Sequence, residues 1–129
     1  MASLSKELFD WISAQVWKPP TFKFNVGRGT KTPLVTMIPL ASEEEKNFLT
    51  SKRGGESTYQ FDIYEGQIYV ANERADELKE HLMYELRGSL PTYNVWSVRS
   101  STVVGFRTER KTIFRYTFTI TFRWDVDEC

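Results

Sequence analysis

His81 is the one imidazole in the chain, and Glu77 and Glu85 stand four residues to either side of it. On a helix that spacing stacks three groups on one face, within hydrogen-bonding or metal-ligand reach. A catalytic zinc takes three protein ligands drawn from His, Cys, Asp and Glu. Here there is no second His, and the lone cysteine, Cys129, is the last residue of the sequence. His81 therefore reads as a helical histidine on a solvated face between two acids, with no metal and no cofactor expected. A terminal Cys129 is not held against His81 with the precision a nucleophile–base pair needs. Glu43-Glu44-Glu45 reads as a solvated run, not as a buried acid/base couple with divergent pKa values. Gly27-Arg28-Gly29 and Gly54-Gly55 lack the strand-to-helix context of a phosphate-binding loop. No catalytic set can be assembled, and the chain is expected not to be an enzyme.

Basic residues gather towards the C-terminus. Arg99, Arg107, Arg110, Lys111, Arg115 and Arg123 are opposed only by Glu109 between positions 99 and 124. Arginines and exposed aromatics on one sheet face can stack single-stranded bases. In this sequence Phe114, Tyr116, Phe118, Ile120, Phe122 and Trp124 alternate with Arg115, Thr117, Thr119, Thr121 and Arg123. A strand sends alternate residues to opposite faces, so aromatics and arginines separate. Seventeen acidic and seventeen basic side chains also argue against nucleic acid held mainly by charge. The Thr/Arg face is left for contact with another subunit.

The elements that position these residues follow from hydrophobic period. Leu4, Leu8, Ile12 and Val16 mark a first helix, stopped by Lys18-Pro19-Pro20. Phe22, Phe24 and Val26 suggest a short strand, and the apolar run from Pro33 to Ile38 a buried one bounded by Pro39. Residues 41–57 read as a long polar loop, a length that is usually functional. Tyr59, Phe61 and Ile63 alternate as a half-buried strand. Ala71, Ala75, Leu78, Leu82 and Leu86 form the apolar stripe of a second helix, with Gly88 at its C-cap. Two strands follow, from Tyr93 to Val104 and from Phe114 to Trp124, joined by a turn within Gly105 to Lys111. Residues 125–129 read as an acidic tail that frays. The 129 residues make one expected domain. Its class is α+β: two layers, a mostly antiparallel sheet, and two helices packed on one face. The apolar stretches are far shorter than the roughly 18 residues of a membrane span, and no secretory signal is expected.

The ordered pieces carry a resemblance. Tyr59-Gln60-Phe61-Asp62-Ile63-Tyr64 leads into a helix bearing Ala71, Ala75-Asp76, Leu78 and Leu82, and the chain closes with a hairpin ending Ile113-Phe114-Arg115-Tyr116-Thr117-Phe118-Thr119-Ile120. This resembles the tail terminator and tail-completion proteins of long-tailed bacteriophages, the lambda gpU-type group. The likeness covers nearly the whole chain in order and length, and the 41–56 segment matches by position alone. It implies a structural virion protein, assembled in the host cytoplasm and placed at the head-proximal end of the tail. Such a protein forms a six-membered ring on the tail tube, stops its growth and presents a surface to the head connector and completion proteins. Expected partners are then further copies of itself, the tail tube protein and those head proteins, with no membrane and no sequence-specific nucleic acid. Ring closure joins one surface to a different surface of the neighbour. Glu43, Glu44, Glu45, Lys46, Lys52 and Arg53 are the expected contacts to a neighbouring subunit or the tube, with Arg115 and Arg123 on the inter-subunit face or ring lumen. The alternatives are a head-side completion or minor capsid protein, and a small α+β nucleic-acid-binding module.

Overall fold

A computed structural model of the chain describes residues 3–19, 21–24, 33–47, 52–110 and 113–127. At 43–47, 52–53, 102–110 and 127 the backbone alone is described. The elements are α1 (Leu4–Ser13), β1 (Phe22–Phe24), β2 (Leu34–Asn47), β3 (Lys52–Glu65), α2 (Ile68–Glu85), β4 (Asn94–Arg110) and β5 (Ile113–Asp127). The five strands form one sheet in the order β1-β2-β3-β5-β4. Among the described residues only the β1–β2 pair is parallel; the other pairs are antiparallel. Both helices lie on one face, so the α+β architecture is as the patterning implies.

Ser3 opens α1, its hydroxyl accepting from the Lys6 amide at 3.1 Å. Leu4, Leu8 and Ile12 are buried, but Val16 is fully exposed. The expected stripe therefore stops one turn early. Ala14 caps the helix, and the Gln15 side-chain amide donates to the Trp11 carbonyl at 2.9 Å. The chain then turns so that Trp17 stacks on His81, centroids 4.1 Å apart. Burying an indole outweighs one more turn that would gain only a valine. Glu7 is buried as well, and its Oε1 accepts from the Thr92 amide at 2.9 Å, tying α1 to the approach to β4.

Under the helices lies the aromatic face of the sheet. Phe61 and Phe118 stack at 5.4 Å in register across β3 and β5, and Tyr59, whose register partner is Ile120, stacks diagonally on Phe122 at 5.8 Å. Ala71, Ala75, Leu78 and Leu82 bring α2 down onto them. The small alanines let the helix approach the sheet closely at its first two turns. Gly88 follows with φ of 69°, a left-handed conformation that favours glycine.

Four expectations are corrected. Residues 41–57 are not a long loop: β2 and β3 run antiparallel from Leu34↔Tyr64 to Asn47↔Lys52, leaving 48–51 outside the described residues. Polar residues pair here because strand hydrogen bonds come from the backbone, and Ser42 and Ser57 add a 2.9 Å hydroxyl contact. Pro39 does not end β2; a register shift between Pro39 and Ala41 absorbs it, beyond the part of β2 paired with β1. The turn expected within 105–111 is strand as far as Arg110, with bulges along β4 taking up the irregular pattern. The acidic tail is also strand as far as Asp127. Val126 is buried, and Asp125 pairs with Gly54; Glu128 and Cys129 lie outside the described residues. Val26 and the glycines at 27 and 29 lie outside them too.

Candidate functional site

The sheet face turned away from the helices divides into two zones. Nearer the start of β2, Leu34, Tyr64 and Ile113 form a small apolar cluster of their own. Next to it Thr36, Asp62 and Thr117 stand in register across three strands, each nearly or fully closed to solvent. Asp62 accepts from the Thr117 hydroxyl at 2.7 Å and from the Gln60 side-chain amide at 3.1 and 3.2 Å. Arg115 Nη1 lies 4.0 Å from the same carboxylate. Alternation alone predicts an open Thr/Arg surface; this end of it is a closed polar layer.

Towards the other end the face is open. Glu56, on β3, is flanked by Arg123 at 3.9 Å and Arg99 at 3.7 Å, and the arginine side chains are 45% and 72% exposed. A register shift between Val95 and Ser97 on β4 displaces Trp96, which is half exposed, with the Arg123 guanidinium 5.4 Å from its ring centroid. Thr58 and Thr121 share a 3.0 Å hydroxyl contact beside them. One aromatic therefore does share a face with the arginines, and the bulge that puts it there leaves no mark in the alternation of β5.

The remaining predicted residues lie on strands. Glu43, Glu44, Glu45 and Lys46 pair along β2 with Glu56, Gly55, Gly54 and Arg53, and Asn47 pairs with Lys52. The structure thus brings the acidic triplet to a strand, not to a loop, and its side chains lie outside the described residues. Arg115 and Arg123 share β5 but not an environment, the first beside buried Asp62 and the second in the open patch.

Two other places gather polar or titratable groups. A cleft of about 340 Å³ opens at the start of α1, lined by Ser5, Leu40, Tyr59, Tyr93 and Trp124 among others. Its polar groups already serve one another. Ser5 Oγ and Tyr59 OH are 2.8 Å apart, and the Trp124 indole donates to Ser57 Oγ at 3.0 Å. Burial raises the Tyr59 pKa above 10.0, against the opposing pull of the Ser5 hydrogen bond. His81 bonds to Glu85 through Nδ1 while its ring lies under Trp17, so it is half-buried instead of solvated. Among the described residues no group of three or more His, Cys, Asp or Glu is gathered to hold a metal. Among them, too, no helix is long and apolar enough to cross a membrane.

No protein-family model matches the chain, and no curated protein matches it significantly. The geometry of the open patch therefore stands by itself.

Proposed function

We propose that this chain is a structural protein of a long-tailed bacteriophage virion, forming a ring at the head-proximal end of the tail tube that ends tail growth and joins tail to head. The observation that carries the reading is the open patch of Trp96, Arg99, Arg123 and Glu56. Tryptophan and arginine are enriched at protein interfaces. Here they sit on a sheet, a rigid platform, with an acid between two cations to match a mixed-charge partner. The order helix, extended segment, strand, helix and closing hairpin supports it as well, while the long loop of that pattern is here the outer part of the β2–β3 pair.

Two measurements test it. Light scattering across a wide concentration range reads self-association, and electron microscopy of the protein mixed with tail tubes reads binding at a tube end. The expected result is a discrete hexamer in solution, or a ring at one end of the tube. A chain that forms no ring and leaves tubes bare overturns the reading.

Trp96 beside two arginines favours a second reading, a module that stacks a single-stranded base. Glu56 weighs against it, since both guanidiniums already have a carboxylate neighbour. Titration with a short single-stranded DNA at low and high salt separates the two. Salt-sensitive binding supports the module, and its absence supports the ring.

A further inference from the structure

The hydrogen bonds inside the cleft at the start of α1 leave some donors over. Tyr93 is only 6% exposed and lines the cleft, yet its phenol has no hydrogen-bond partner among the described residues. It is not sealed in as the Thr36 hydroxyl is, so its free hydroxyl meets solvent in the cleft. The helix adds to this. Ser3 takes up the Lys6 amide through its side chain and the Glu7 amide through its carbonyl. The Leu4 and Ser5 amides, the first two of α1, have no acceptor among the described residues, and both residues belong to the cleft wall. A helix start leaves such amides unpaired and carries a partial positive charge.

We propose that this cleft binds a small carboxylate with an aromatic body, its head at the start of α1 and its ring between the aromatic walls. Tyr59, Tyr93 and Trp124 supply those walls, and Leu4, Pro39 and Leu40 an apolar border. Leu40 is half exposed, so a ring laid against it takes apolar surface on both sides out of water. The volume, about 340 Å³, suits one ring and its head. No charged side chain lines the cleft. No acid is there to repel an anion, and the groups that meet it are the two amides and the Tyr93 hydroxyl, the kind of donors that hold anions at helix starts. A carboxylate accepts from several donors at once, and hydrogen bonds to an ion are about twice as strong as neutral ones. A neutral head forfeits that gain. An ammonium head meets the wrong end of the helix dipole. The site owes nothing to the ring reading, since the open patch of Trp96 and Arg123 lies on the other face of the sheet.

The test titrates three probes into the isotope-labelled full chain and follows it by NMR: phenylpropionate, its neutral amide and the matching amine. Phenylpropionate should shift the backbone signals of Leu4 and Ser5 and the indole signal of Trp124 together, with one dissociation constant. The amide and the amine should each bind at least about tenfold more weakly. Tyr93→Phe keeps the ring that packs on Trp124 and removes only the hydroxyl, and it should weaken phenylpropionate binding about tenfold. Tyr69→Phe, which removes an exposed hydroxyl on α2, should bind it as wild type does. Melting curves check that both variants are folded, and the comparison of probes needs wild type alone. Wild-type signals that stay still up to about 10 mM phenylpropionate overturn the proposal. Equal binding of the acid and its amide also overturns it, as do shifts gathered away from the cleft. A folded Tyr93→Phe that binds as tightly as wild type does the same. None of these outcomes bears on whether the chain forms a ring.

Discussion

The Thr117 hydroxyl donates to the Asp62 carboxylate at 2.7 Å across neighbouring strands, and both side chains are closed to solvent. This contact lies on the face turned away from both helices, where a carboxylate would ordinarily be hydrated. A buried charge is tolerated only when hydrogen-bonded and paired. Asp62→Ala should therefore cost about 3 kcal/mol, because Thr117 and Gln60 lose their acceptor and Arg115 its counter-charge. Thr117→Val should cost about 1 kcal/mol. Urea unfolding checks both, read as a shift of midpoint at unchanged slope. A loss below about 0.5 kcal/mol for Asp62→Ala would show the layer to be hydrated in solution.

Tyr59 makes stability depend on alkaline pH. Burial raises its pKa in the folded chain above the 10.0 of a free tyrosine, more than the Ser5 hydrogen bond lowers it. The folded state thus keeps its proton where the unfolded state has lost it. The contribution is whole below pH 10 and falls away as pH rises from there through the higher folded value. Tyr59→Phe should lower stability by about 1 kcal/mol at neutral pH through the lost hydrogen bond, and should flatten the decline above pH 10 relative to wild type. Parallel declines in the two proteins would assign the effect to other tyrosines.

Gly54 is set by contact. A Cβ built there lies 3.0 Å from the Trp124 carbonyl oxygen, a backbone atom that cannot swing aside. Gly54→Ala should destabilise by about 1 kcal/mol, and Gly54→Val by more, as overpacking does. Thermal melting reads this directly. An alanine variant that melts above wild type would mean that β3 and β5 separate easily at this end.

Where burial is one-sided, the sequence reads well. The stripe from Ala71 to Leu86 and the alternation from Phe114 to Trp124 mark α2 and β5, because each must hide one face and wet the other. Residues 41–57 escape such reading. Strand pairing there is a matter of backbone hydrogen bonds, and Gly54 and Gly55 imitate a turn. Asp62 escapes for the opposite reason: period two places it on the solvent side, and nothing local shows that this side closes around it. Trp96 depends on a register shift, a relation between two strands that no single strand's pattern contains. The acidic triplet was visible as a charge run, but its place on a strand needed the pairing of β2 with β3.

Glu7 and the Thr92 amide meet across 85 residues of chain. A contact of that span costs loop-closure entropy before it returns anything. α1 is therefore the first element of the chain to be made and among the last to be fastened, as the cover of a book is cut first and glued on only when the pages are sewn.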